Sequence, residues 1–110
     1  MSASFVFRKS ANSQFFFNLQ AENNETILTS EQYSAKQSAQ DGIESVRKNA
    51  PLEGRYERKT STDGKPFFVL KAANGETIGK SELYSSSAAM ENGIEAVKRT
   101  APGASVVDQT

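Results

Sequence analysis

Residues 66–84 read PFFVLKAANGETIGKSELY, and residues 15–33 read FFFNLQAENNETILTSEQY. In the first of these, Phe67-Phe68-Val69-Leu70-Lys71-Ala72 supplies side chains alternately to two faces of a strand. Asn74-Gly75 then follows, a pair that tolerates positive φ and predicts a two-residue type I′ turn, and Glu76-Thr77-Ile78 opens a second strand. The second stretch has the same plan. Sliding the chain against itself by 51 positions lays residues 15–51 over 66–102 without a gap, and 18 of the 37 pairs are identical. Chance does not match half of the positions. The chain is an internal duplication.

Working outward, each unit reads strand, strand, strand, helix. The second has strands over 55–59, 66–73 and 76–80 and a helix over 85–100; the first has strands over 4–9, 14–21 and 25–29 and a helix over 34–49. The upstream pair Arg8-Lys9 matches Arg58-Lys59 at an offset of 50, one short of the main repeat. Ala39, Ile43, Val46 and Ala50 recur at helical spacing on one face, as do Met90, Ile94, Val97 and Ala101. Pro51 and Pro102 stop both helices. Ser34 with Gln37 forms a capping-box pattern, whereas the second helix opens on the run Ser85-Ser86-Ser87. A unit of about 50 residues buries too little apolar surface to stand alone, so two units share one core. The expected fold is α+β: a tandem duplication of a βββα unit forming one antiparallel sheet with two helices packed on one face. It makes one domain over residues 1–110, with repeats of about 4–53 and 54–108. The tail at 104–108 is expected to add a last short strand. By the offset it corresponds to Arg55–Glu57, the opening strand of the second unit, so one segment can close a unit and open the next.

These residues resemble the YegP-like family of small bacterial proteins of unknown function. The resemblance rests on Phe67-Phe68-Val69-Leu70-Lys71-Ala72, Asn74-Gly75-Glu76-Thr77-Ile78, Ser81-Glu82-Leu83-Tyr84, Gly93-Ile94-Glu95-Ala96-Val97 and Ala101-Pro102. It covers nearly the whole chain in both copies, and the first copy departs from it at Asn24, Leu28 and Gln32, which bear on turn detail. The resemblance implies a duplicated βββα unit in one sheet, with exchange of terminal strands between units, and it implies no activity.

Composition narrows the chemistry. The 110 residues contain no Cys, His or Trp, and 13 basic side chains balance 13 acidic ones. No thiol nucleophile, disulfide or Ser-His pair can form, and no imidazole or thiolate is present to hold zinc, haem or an iron–sulfur cluster. Asp41, Asp63 and Asp108 are scattered without a calcium-loop pattern. Zero net charge counts against a strong phosphate-backbone binder. No apolar run reaches the length of a secretory or membrane-spanning segment, so a soluble, monomeric cytoplasmic protein without cofactor or catalytic role is expected.

Four features are candidates for sites. Gly75-Glu76-Thr77-Ile78-Gly79-Lys80-Ser81 has three residues between its glycines where the phosphate-binding loop has four, and its first glycine lies in a hairpin turn. It reads as a decoy. The repeated Ser-Glu-x-Tyr (Ser30, Glu31, Tyr33; Ser81, Glu82, Tyr84) offers either a Glu base with a Tyr donor, or a structural junction in which Ser and Glu satisfy helix-start amides. Gly42 and Gly93 fall in mid-helix, where glycine costs about 1 kcal/mol, and either close packing of helix on sheet or helix on helix, or a ligand approaching the helix backbone, compensates. Glu44 and Glu95 stand four residues before Lys48 and Arg99, the spacing of a helix ion pair. The fourth feature is the strand face opposite the helices, which carries Phe16, Phe67 and Lys71 and is expected to gain Val6, Arg8, Tyr56 and Arg58 from the first strands. The leading reading is a non-catalytic module whose open sheet face binds a protein partner. The alternative is weak single-stranded nucleic-acid binding by the same aromatic and arginine side chains. Small-ligand binding or an enzyme built on Glu and Tyr comes last.

Overall fold

The computed structural model describes residues 3–110. Its elements follow the duplicated plan: β1 (Ser4–Lys9), β2 (Phe15–Gln20), β3 (Thr26–Ser30), α1 (Lys36–Asn49), β4 (Tyr56–Thr60), β5 (Pro66–Lys71), β6 (Thr77–Lys80), α2 (Ser87–Thr100) and β7 (Ser105–Asp108). The seven strands form one sheet in the order β4-β5-β6-β3-β2-β1-β7. The three-stranded meanders of the two repeats abut at β3 and β6, where Thr29 pairs with Lys80. These two residues are 51 apart and therefore equivalent, so an internal twofold axis passes between them. Six strands are antiparallel neighbours, and β7 joins β1 in parallel, which makes the sheet mixed at that edge.

Both helices lie on one face. The expected stripes Ala39, Ile43, Val46, Ala50 and Met90, Ile94, Val97, Ala101 are all buried against Phe5, Phe17, Leu19, Leu28, Phe68 and Leu70. The rings repeat their packing: Phe5 meets Phe17 edge-on at 5.8 Å, and their counterparts Tyr56 and Phe68 do so at 5.7 Å. At about 25 cal/mol per Å2 this shared apolar core is the main stabilising term.

Three local expectations are corrected. The hairpins are not type I′, because Gly75 has φ 86° but Asn74 does not have positive φ. Gly75 N–H donates to Ala72 O, and Ala72 N–H to Glu76 O, which is a three-residue loop whose last residue is left-handed. Ser10–Ser13, Ala21–Asn24 and Ser61–Gly64 repeat the same closing bond, with φ of 67°, 68° and 85° at the final residue. The capping box fails: the N-cap of α1 is Ala35 with no side-chain bond, one residue past Ser34. In α2 the equivalent Ser86 caps, its hydroxyl accepting from Ala89 N–H at 3.1 Å. Finally, Glu44 and Glu95 pair at three residues, with Arg47 and Lys98, because these cations also reach over Phe5 and Tyr56.

Leu28 is a core residue, 1% exposed, and not a matter of turn detail. A Cβ built on its equivalent, Gly79, would stand 2.9 Å from Leu28 Cγ and 3.1 Å from the Thr29 carbonyl. Two leucines cannot occupy this place beside the twofold axis, and glycine in the second repeat leaves room for the first repeat's side chain.

Candidate interaction face

Among the described residues no helix covers the second face of the sheet. Strand register lays one row of side chains across all seven strands: Glu57, Val69, Lys80, Thr29, Asn18, Val6 and Val107. Flanking the row, Lys59 lies opposite Phe67 and, at the twofold-related place, Arg8 lies opposite Phe16. Phe16 and Phe67 are partly exposed, and Lys80 Nζ stands 5.3 Å from the Phe67 ring centroid. Polar bonds run along the row: Arg8 Nε donates to Asn18 Oδ1 at 2.6 Å, and Asn18 Nδ2 to Thr29 Oγ1 at 2.9 Å. Lys71 belongs to this face as expected and pairs with Glu57 at 2.5 Å.

Tyr56 and Arg58 do not belong to it. Arg58 pairs in register with Phe68 and Tyr56 with Leu70, which places both on the helix side. There Arg58 bridges Glu91 of α2 at 2.5 Å and Glu53 at 2.9 Å, and those carboxylates raise its already high pKa. The offset of 50 between Arg8-Lys9 and Arg58-Lys59 caused the error, since side chains alternate with period two and a one-residue slip exchanges the faces. The structural counterpart of Arg8 is Lys59.

Charge is thereby sorted. The strand positions of this face hold Arg8, Lys59, Lys71 and Lys80 against the single carboxylate Glu57. Where the twofold axis crosses, a shallow cleft of 290 Å3 is lined by the equivalent pairs Thr29/Lys80, Ser30/Ser81 and Glu31/Glu82. The remaining acids lie on helices, turns and hairpin tips, except Asp108 of β7, whose pairing with Phe7 places it on the helix side of the sheet.

The Ser-Glu-x-Tyr motifs and the mid-helix glycines, separate in sequence, meet in the structure. A Cβ at Gly42 would stand 2.6 Å from Tyr33 Oη, and one at Gly93 would overlap Tyr84 Oη and lie 2.7 Å from Tyr84 Cζ. Each tyrosine therefore lies flat against a helix backbone that only glycine leaves open. The serines serve strands and not helix starts: Ser30 Oγ accepts from Phe17 N–H at 2.9 Å and Ser81 Oγ from Phe68 N–H at 3.0 Å, while each donates to the next carbonyl at 2.8 Å. They satisfy buried strand amides where β3 and β6 leave the ladder. Burial, and then Glu31 and Glu76, push the Tyr33 phenol above its ordinary value; burial, Glu82 and Glu25 do the same to Tyr84. Each phenol thus feels a carboxylate from the other repeat's hairpin. The groove beside Tyr33, 510 Å3, runs between α1 and the β5–β6 hairpin, with Asp41, Gly42 and Ile78 in its walls. The raised values keep both phenols protonated at neutral pH. Among the described residues no group of three or more acidic side chains is placed to hold a metal ion. Gly79 and Lys80 form no phosphate cradle, as Leu28 fills the space beside Gly79 and Lys80 turns to Phe67. Among the described residues no helix is long and apolar enough to cross a membrane.

Comparison with known proteins gives a consistent result. The family described as Domain of unknown function (DUF1508) matches twice, over residues 10–57 and 61–108. Its unit thus takes in β2, β3, α1 and the start of β4, then β5, β6, α2 and β7. This frame starts one strand later than the repeats of 4–53 and 54–108 read from the sequence. The chain is 56% identical over 110 residues to a UPF0339 protein of Bordetella pertussis, covering 100% of this chain and 98% of that one. It is 49% identical to the UPF0339 protein YegP of Escherichia coli K12 over the full length of both. The solution NMR structure of the E. coli protein, described as of unknown function, superposes with a TM-score of 0.94 at 49% identity, covering 100% of this chain and 95% of that one. That of a UPF0339 protein from Shewanella oneidensis does so at 0.91 and 47%, covering 98% and 92%.

Proposed function

The chain belongs to the DUF1508 family in its two-copy form, and from that premise we propose that it is a non-catalytic interaction module whose uncovered sheet face receives another macromolecule. One observation carries the reading. Phe16 and Phe67 sit partly exposed at twofold-related places on a face that has no helix over it, each with a cation directly across the strand pair. Aromatic and arginine side chains are the groups most enriched where proteins bind partners. The repeated polar motif supports a non-catalytic role, because its serines are spent on strand amides and its tyrosines on helix glycines. One chain suffices for the module, as β3 and β6 already join the two copies.

The test is isotope-edited NMR of the full chain mixed with cell lysate. Perturbed amides are expected to cluster at Arg8, Phe16, Lys59, Phe67, Lys71 and Lys80, and to vanish in F16S/F67S. The variant is expected to unfold cooperatively with a loss within about 1 kcal/mol per site, as for surface positions. Perturbation confined to the helix grooves, or a loss of several kcal/mol in the variant, overturns the reading.

A further inference from the structure

We infer that the partner of this face is a single-stranded nucleic acid, an inference that rests on the reading of the uncovered face as the binding surface. Three observations carry it. First, the neutrality of the chain conceals a basic face, since four cations stand on its strands against one carboxylate, Glu57, which pairs with Lys71 at 2.5 Å and lies 3.9 Å from Lys59, an excess of cations on these strands. The other carboxylates facing it, Glu31 and Glu82, are gathered at the central cleft with Lys80 between the repeats. A polyanion would therefore pass to either side of that cleft, along the cations. Second, each phenyl ring has a cation as its cross-strand neighbour, Arg8 beside Phe16 and Lys59 beside Phe67. That pairs a stacking surface for a base with a charge for the adjoining phosphate. Third, the two rings lie three strands apart and two residues to opposite sides of the central row, roughly 20 Å from one another. One flexible strand can engage both, with Gln20, Thr26 and Thr77 between and around them as uncharged donors and acceptors. An acidic protein segment would use the same cations, but it lacks the planar group at every backbone repeat that lets one strand stack on both separated rings.

The probe is a fluorescent oligothymidylate of about 15 nucleotides, within the range that sheet-based single-strand binders occupy. Anisotropy is measured with the full chain at low and near-physiological salt. Binding is expected at low salt, with log K falling against log salt at a slope of about −3 if all four cations meet phosphates. Phe16→Ser and Phe67→Ser are each expected to weaken binding by about fivefold to a hundredfold, the range for loss of one stacked base. Lys59→Gln with Lys80→Gln, which leaves both rings in place, is expected to make the slope shallower by about 0.7 per lysine. The inference is overturned by no binding at low salt, by binding indifferent to both phenylalanines, or by equal binding of a polyglutamate of matched length. In the last case the partner is an acidic protein. If the oligothymidylate fails while lysate still perturbs this face, the nucleic-acid inference falls and the interaction module stands. If neither touches the face, both fall.

Discussion

The first and second repeats carry the same strands, turns and helix, yet they part company where symmetry would make a residue meet its own copy. Beside the twofold axis the first repeat has Leu28, fully packed, and the second has Gly79, whose missing side chain is the space Leu28 occupies. Duplication supplies two identical halves, and the shared core accepts only one large side chain at the seam. The difference teaches that the repeats are no longer interchangeable modules: the side chain the first repeat keeps fills the space the second repeat leaves. Exchanging the two residues is the sharpest test. Leu28→Gly alone is expected to cost about 3 kcal/mol or more, from a core cavity plus backbone freedom. Gly79→Leu alone is expected to cost about 1–3 kcal/mol through overpacking. The double exchange restores the volume from the other side of the axis, and more than half of the summed loss is expected to return in urea unfolding. Simple additivity of the two losses breaks the comparison.

The helix glycines differ in degree. Alanine at either position gains up to about 1 kcal/mol of helix propensity but drives a methyl into a tyrosine. The second repeat is tighter, because a Cβ at Gly93 would be 2.7 Å from Tyr84 Cζ whereas one at Gly42 would be 3.0 Å from Tyr33 Cζ. Net losses of about 1–3 kcal/mol are expected, with Gly93→Ala the larger. Tyr84→Phe in the Gly93→Ala background should return part of the loss, since the hydroxyl is the atom overlapped. Equal losses at both glycines, measured by thermal unfolding, would show that the two junctions are packed alike.

Much of this was legible in the sequence, and the exceptions have one cause. The period-two runs, turn residues and helical stripes fix every element to within two residues, because each is a local signal repeated twice. Phe16, Phe67, Arg8 and Lys71 were placed on the open face by alternation alone. Arg58 was misplaced because residue identity favoured an offset of 50 while hydrogen-bond register keeps 51, and register is set by the whole sheet. Lys59 escapes that reading for the same reason, although counting it opposite Phe67 at the main offset is the available signal; Lys80 escapes it because a bulge between the Leu70–Gly79 and Lys71–Thr77 pairs slips β6 by one residue and exchanges its faces. Nothing in the chain order joins Tyr33 to Gly42 or Leu28 to Gly79; those contacts exist only once helix and sheet, or the two repeats, are packed. The balanced composition said nothing about sorting, since charge separates by face and not by segment.

The helix starts offer a smaller contrast. Ser86 caps α2, while Ala35 occupies the same place in α1 with φ −129° and ψ 145°, already extended as a cap requires. Ser86→Ala is expected to cost about 1 kcal/mol, and Ala35→Ser to gain about half to all of that amount, because the backbone needs no adjustment. The gain should appear in hydrogen exchange of the first turn of α1 before it registers in global stability. A stabilisation from Ser86→Ala would contradict the cap.

The smallest effect separates the two edges of the sheet. On the β4 side, Lys98 and Arg58 hold the Glu53 carboxyl below its ordinary value of 4.5, and Arg58 does so for Glu91. The first repeat has no such cluster, as Phe7 and Gln40 stand where Arg58 and Glu91 do. The β7 edge depends instead on Lys36 with Asp108, whose carboxyl Lys36 and Thr110 depress from 3.8. Folding lowers all three carboxyls, so the native state binds fewer protons and their contribution is present above the unfolded values. It is lost as pH falls from about those values through the folded ones, and the β4 cluster starts to fail at the higher pH. These groups are solvated and screened, so neutral stability should change little on Arg58→Gln. What should change is the acid limb: below about pH 4.5 the variant is expected to lose stability less steeply than the parent, and added salt should mimic it. Lys36→Gln should leave that upper window intact and release β7 amides in hydrogen exchange. Were Arg58→Gln to leave the acid limb unchanged while Lys36→Gln flattened it at the higher pH, the two edges would have exchanged the roles assigned to them.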